Sequence, residues 1–210
     1  MPRSIEPVFD PARPAHDAVD GIGGAIVLGI DPGLSRCGYG AVRREGSRFT
    51  VVACGVLRTA PSDPLPTRLA ALAEELELLI AETAPIALAV ERVLFQVNAR
   101  TAMSVGQASG LALTVAGRLR IPVAHYSPNE VKLAVAGDGS ADKVEVQKMV
   151  ARLLRLRDAP RPADAADALA LAVCHWWRAP MQAAVGENDA PQRRLDAAIA
   201  AAVARDGSRA

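Results

Sequence analysis

Read from the N-terminus, the chain divides by the period of its hydrophobic positions. Residues 1–24 have no period; Pro, Asp and Gly recur in them, and they are expected to form a disordered tail. An apolar run follows, Val27-Leu28-Gly29-Ile30, and ends in Asp31-Pro32-Gly33. Val, Leu and Ile favour a buried strand, and the Pro-Gly pair stops it. Residues 38–43 and 50–56 read as two further strands, and the short turns joining all three predict an antiparallel meander. The period then changes. Leu69, Leu72, Leu76, Leu79 and Ile80 recur at helical spacing, with Glu74, Glu75 and Glu82 off that stripe. Residues 65–83 are therefore predicted to be a helix, ended by Pro85. Residues 86–90 are wholly apolar, as expected of a central strand covered on both faces, and the run ends in Glu91.

A second long helix is predicted over residues 98–119, with Gly106 and Gly110 one turn apart. Glycines at that spacing serve close packing of helix on sheet, the preferred reading, or a close helix–helix contact across a dimer. Residues 121–126 are another strand. Ser127-Pro128-Asn129-Glu130 then opens a helix by several rules at once: an N-cap Ser, Pro in first position and Glu in the capping-box position. After the loop Gly137-Asp138-Gly139-Ser140-Ala141, a helix over 142–156 turns Val146, Met149, Val150, Leu153 and Leu154 inward. Lys148, Arg152 and Arg155 fall on its opposite, solvated face. A last helix is predicted from near Pro162 to Trp177. Residues 181–210 read as a loose tail, with a marginal Ala-rich helix at 193–204, so the folded domain is expected to span 25–180.

Three antiparallel strands, helix, strand, helix, strand and helices define an α/β domain on a five-stranded mixed sheet. The fourth strand follows a crossover helix, so it should run parallel to the first. Asp31 and Glu91 then lie side by side beyond the C-terminal ends of neighbouring strands, where ligands collect in open α/β sheets. Half of the 210 residues are hydrophobic, enough for one good-sized core, and at 3% aromatics that core must be aliphatic. No apolar run has the length of a membrane span, and no signal-peptide pattern opens the chain. Cys37, Cys54 and Cys174 show neither metal spacing nor pairing, which points to a reduced, cytoplasmic protein. The net charge is +1, but the first 24 residues carry −2 and the last thirty balance, leaving +3 on the domain. That charge is compatible with a polyanionic partner and does not identify one.

The chemistry lies in the acids. A carboxylate ending an apolar strand is costly unless it accepts turn amides or faces a cation or strong donor. The last helix opens Ala163-Asp164-Ala165-Ala166-Asp167-Ala168, and the spacing puts both carboxylates on one face of its first turn. The helix dipole accounts for Asp164, but two acids among alanines repel each other. If this face docks on the sheet edge bearing Asp31 and Glu91, four carboxylates converge. Without matching bases they cannot all stay ionised, and a divalent cation resolves the conflict. Oxygen-only ligands select Mg²⁺ or Mn²⁺ over zinc, and two such ions suit in-line attack on a phosphodiester. No Ser-His-Asp or Cys-His set competes, and His175, further along the same helix, is assigned a core or supporting role. Lys132 and Lys143 flank the loop containing Gly137, where they could meet phosphates.

Five motifs carry a resemblance: Gly29-Ile30-Asp31-Pro32-Gly33, Glu91-Arg92-Val93, Gly106-Gln107-Ala108, Gly139-Ser140-Ala141-Asp142-Lys143 and Ala163-Asp164-Ala165-Ala166-Asp167-Ala168-Leu169. In this order, over about residues 26–179, they resemble the RuvC family of bacterial Holliday junction resolvases. The resemblance implies a ribonuclease H-like fold and a homodimer acting in DNA recombination and repair. It implies an enzyme that binds four-way DNA junctions and nicks two strands symmetrically, with two Mg²⁺ per active site and Mn²⁺ as a substitute. It also implies a branch-migration partner, the RuvA–RuvB complex. Motif by motif, Asp31, Glu91, Asp164 and Asp167 take the family's catalytic, metal-ligand places. Lys132 and Lys143 fall at its basic, DNA-contacting positions. The family carries Phe three residues after the catalytic Glu, stacked on a junction base. Here Leu94 holds that place and Phe95 follows. Either Phe95 stacks with Leu94 as apolar support, or Leu94 is itself an apolar wedge.

Three other functions compete. A related nuclease acting on structured RNA would share the fold. A sugar kinase or actin-like domain also opens with a Gly-Ile-Asp strand, but needs a second such domain and phosphate loop, which the chain lacks. A non-catalytic DNA-binding module has no need of four acids in metal-ligand places.

Overall fold

In the computed structural model the described residues are 24–92 and 99–185. They form, in order, β1 (Ile26–Asp31), β2 (Arg36–Glu45), β3 (Arg48–Arg58), α1 (Leu65–Thr83), β4 (Ala87–Glu91), α2 (Ala99–Arg118), β5 (Val123–Tyr126), α3 (Pro128–Ala136), α4 (Lys143–Leu153) and α5 (Ala163–Val185). Leu94 and Phe95 lie outside the described residues, as do residues 1–23 and 186–210. The chain divides into two compact units, Met1–Trp176 and Trp177–Ala210.

The five strands form one sheet in the order β3-β2-β1-β4-β5. β1, β2 and β3 pair antiparallel, and β4 lies parallel to β1 with β5 parallel to β4, as the crossover helix requires. The β2–β3 hairpin is longer than its apolar residues indicated. Its ladder continues to Glu45↔Arg48 and Arg36↔Arg58, because polar residues pair through the backbone as well as apolar ones do.

Strand alternation sends neighbouring residues to opposite faces of the sheet. Leu28 and Ile30 of β1 and Leu88 and Val90 of β4 face α1 and α2, against Leu72, Leu76, Ala112 and Val115. Val27 and Ala89 face the other way, against Val131, Val150, Leu169 and Val173 of α3, α4 and α5. Asp31 and Glu91 share the parity of Val27 and Ala89, so both acids project toward α5.

α5 lies unusually close to the sheet, for a reason visible in three glycines. A methyl group on Gly29 would collide with the carbonyl of Ala168, and one on Gly38 with the carbonyl of Asp164. On Gly40 it would stand 2.7 Å from the amide of Leu169. Ala165, Ala168 and Ala172 answer with the smallest side chains on the helix, and all three are buried. Further along α5, Trp176 donates from Nε1 to the Val42 carbonyl at 3.1 Å, and Arg44 lies over its ring.

Two expectations are corrected. Gly106 and Gly110 do not serve packing of α2 on the sheet: a methyl group on either would meet nothing within 4 Å. The glycines that admit close helix–sheet approach are those of β1 and β2. The last helix does not stop at Trp177: α5 continues to Val185, through a Gln-Ala-Ala stretch of good helix formers. Lys148 and Arg152 are exposed, as a solvated face requires; α4 ends at Leu153, three residues before the expected end, and Arg155, also exposed, lies beyond it with φ 54°.

Candidate active site

Each acid is placed by a different part of the fold. β1 and β4 run parallel with Ile30 opposite Val90, so the next pair, Asp31 and Glu91, sits side by side at the strand ends. The two carboxyls are close enough to act on each other electrostatically. Asp164 and Asp167 come from the first turn of α5, which the glycines of β1 and β2 admit close to the same strand ends. The turn after Asp31 is pinned from the side. Thr59 Oγ1 donates to the Leu34 carbonyl at 2.6 Å, and Arg68 donates to Thr59 Oγ1 at 2.9 Å and to Ser35 Oγ at 2.6 Å.

Electrostatics shows the acids acting on one another. Asp31 is pushed up to about 8, first by burial, then by the side chain of Glu91 and by the charges of Asp167 and Asp164. Acids this strongly coupled do not all give up their protons together near neutral pH. Asp167 is also raised: burial outweighs the opposing pull of Lys143.

Cations meet the α5 acids from two sides. Lys143 Nζ lies 2.6 Å from Asp167 Oδ2, and its own pKa is raised by that hydrogen bond. The lysine is held at the start of α4 by a reciprocal capping box: Glu145 N–H donates to Asp142 at 2.8 Å, and Asp142 N–H donates to Glu145 at 2.9 Å. A matching box, Ser127 with Glu130, opens α3, as the sequence indicated. Lys132 on α3 lines a cleft of about 220 Å³ together with Glu91, Lys143 and Asp167. On the far side Arg36 of β2 donates from Nε to Asp164 Oδ2 at 2.7 Å.

Arg36 was not singled out from the sequence. The available signal was alternation: Arg36, Gly38 and Gly40 share one face of β2, and two of the three are glycines that admit α5. His175 takes a supporting role, its Nδ1 2.9 Å from the Tyr126 hydroxyl and its pKa lowered by burial.

Among the described residues no group of three or more His, Cys, Asp or Glu side chains stands close enough to hold an ion as placed. Asp164 and Asp167 are engaged by Arg36 and Lys143 instead. The donor set nevertheless suits a hard divalent ion. It is all oxygen, it comes from regular elements, and burial together with the neighbouring acids raises Asp31 to about 8, a cost that a cation among them would offset.

Sheet order, crossover and acid cluster define the class: a ribonuclease H-like α/β domain with an acidic centre at the parallel strand ends. The family model for Crossover junction endodeoxyribonuclease RuvC matches residues 27–175. A Salinispora arenicola protein of that name is 56% identical over 153 residues, covering 72% of this chain and 87% of its own. A Rhodococcus jostii protein of the same name is 48% identical over 187 residues, covering 87% and 99%. The structure of Thermus thermophilus RuvC in complex with Holliday junction substrate superposes with a TM-score of 0.72 at 37% identity, over 75% of this chain and 96% of that one. The yeast mitochondrial Holliday junction resolvase Ydc2, 18% identical with a TM-score of 0.55 over 76% and 80%, shares the fold. The chain belongs to the RuvC family of crossover junction endodeoxyribonucleases.

Proposed function

We propose that this protein resolves Holliday junctions in DNA recombination and repair, cutting two strands symmetrically by phosphodiester hydrolysis. The observation that carries this is the convergence of Asp31, Glu91, Asp164 and Asp167 from β1, β4 and α5 at one end of the sheet, within a family of junction nucleases. These four are the metal ligands and catalytic residues. They would hold two Mg²⁺ ions, with Mn²⁺ as substitute, which supply the charge that activates water and stabilises the leaving oxygen. Asp31 gives up its proton as the site is loaded. Lys132 and Lys143 bind phosphates beside the cleft and bring the scissile strand to the acids. Leu94 and Phe95 open the junction by wedging or stacking, as the family position implies.

The working unit is a C2 homodimer, because a two-fold junction asks for two sites related by the same axis. α2 supports this. Met103, Gly106, Gly110, Leu113 and Gly117 recur at alternating spacings of three and four and are all exposed, a stripe fitted to a second helix. The domain spans 25–180 with tails on either side, acts in the cytoplasm, and receives junctions from the RuvA–RuvB complex. Among the described residues no helix is long and apolar enough to cross a membrane.

The deciding experiment incubates the protein with a synthetic four-way DNA junction and, in parallel, with structured RNA, with and without Mg²⁺. Paired, Mg²⁺-dependent nicks in the junction are expected, with the RNA left whole. Preferential cutting of RNA would replace this function with that of a related RNA nuclease.

A further inference from the structure

We propose that Arg36 is a built-in counter-cation for Asp164, one that competes with the divalent ion for this carboxylate and so sets the metal concentration at which the site fills. Its role presupposes that Asp164 is a metal ligand, as proposed above.

The contact follows from the fold and not from chance reach of a long side chain. Arg36 opens β2 opposite Arg58 of β3, two residues before Gly38. Strand alternation therefore sends it to the face on which α5 lies. Gly38 has no side chain to hold Asp164 away, so the guanidinium meets the carboxylate directly. The backbone leading into Arg36 is held as well: Thr59 N–H donates to the Ser35 carbonyl at 3.3 Å, and Ser35 Oγ accepts from Arg68.

The geometry is that of a placeholder. Both Nε and Nη2 of Arg36 converge on Oδ2 of Asp164. The two-oxygen fork that makes arginine–carboxylate pairs strong is not formed, and Oδ1 has no partner among the described residues. A cation approaching Oδ1 would share one carboxylate with a guanidinium, and the two like charges repel. One of them must yield. The Arg36 side chain is 43% exposed, so its hold on Asp164 is weak enough for a divalent ion to displace. Until then it offsets the repulsion among the acids and keeps the first turn of α5 seated. Lys143 is the counterpart on Asp167, but it also lines the cleft where phosphates are expected. Arg36 faces Asp164 from the opposite side and does not line that cleft.

The test titrates Mn²⁺ into the full-length protein without DNA and reads the thermal unfolding midpoint at each concentration. For Arg36→Ala, half-saturation is expected at about three- to fivefold less metal than for the wild type, within the range a part-exposed ion pair permits. Arg36→Gln, which keeps a donor but no charge, should shift the same way, and Arg36→Lys should return to within about twofold of wild type. In an Asp164→Asn background, Arg36→Ala should no longer move the midpoint. A merely structural arginine would lower the melting temperature equally at all metal concentrations and leave half-saturation in place. If wild type saturates, Asp31→Asn does not, and the Arg36 variants saturate at or above the wild-type concentration, the counter-cation role is overturned while the metal ligands stand. If wild type shows no saturable shift, the ligand assignment fails and takes the role of Arg36 with it.

Discussion

At the scale of the residue, the acid cluster stores an electrostatic cost, which a bound metal would relieve. Asp31, held at about 8, binds its proton more tightly folded than unfolded, where its pKa is near 3.8. Its contribution to stability is therefore full below about pH 3.8 and is lost progressively as pH rises through about 8. In metal-free buffer the melting temperature should fall over that window, and Asp31→Asn should flatten the fall, as thermal unfolding at stepped pH would show. The same variant should abolish strand cleavage while keeping junction binding, since it removes a proposed ligand charge and leaves in place the lysines proposed to meet DNA. Nicking by Asp31→Asn in Mg²⁺ would remove Asp31 from the ligand set. Lys132→Ala and Lys143→Ala should each weaken junction binding and reduce the slope of its salt dependence by about one for every phosphate no longer neutralised. Binding measured across a salt series tests this, and unchanged slopes for both would place neither lysine on the DNA. Asp31 and the two α5 acids stand out in the sequence because acids are anomalous in apolar surroundings. Arg36 did not, because an arginine beginning a strand is ordinary until its partner is known.

At the scale of the element, the site depends on how close α5 lies to β1 and β2. Gly38→Ala would drive a methyl group into the Asp164 carbonyl and lift the first turn of α5 with both of its acids. Denaturant unfolding should show a loss of about 1–3 kcal/mol, the usual cost of overpacking, and cleavage should fall by more than stability alone explains. Leu94 and Phe95 make a second case. Base stacking on an aromatic ring is worth about 1–3 kcal/mol, so Phe95→Ala should slow junction cleavage about tenfold or more with melting temperature nearly unchanged if Phe95 stacks. A loss of about 3–5 kcal/mol with normal cleavage at low temperature would make it a core residue and leave the wedge to Leu94.

At the scale of the whole molecule, paired cutting demands paired sites. Gly106 is exposed, and a Cβ added there meets nothing within 4 Å among the described residues. Gly106→Leu should therefore leave the fold intact and disturb only a partner helix. Monomers are expected in light scattering at micromolar concentration, with single nicks replacing symmetrical pairs. A wild-type monomer that still cuts both strands would contradict the homodimer.

What the sequence by itself determined here is local and periodic. The helix over Leu65–Thr83, the capping box at Ser127 and Glu130 and the strand ending in Glu91 follow from turn chemistry and from hydrophobic spacing, which act over a few residues. The pairing of Asp31 with Glu91 was also within reach, because a crossover helix leaves the two strands parallel. Only the tertiary structure decided which glycines pack and which stand free. Gly38 and Gly106 are alike in sequence and differ only in what lies opposite them, a helix backbone for one and open space for the other. The partners of the α5 acids were decided there too. A salt bridge between residues 128 positions apart depends on two elements meeting in one register, which no local spacing encodes.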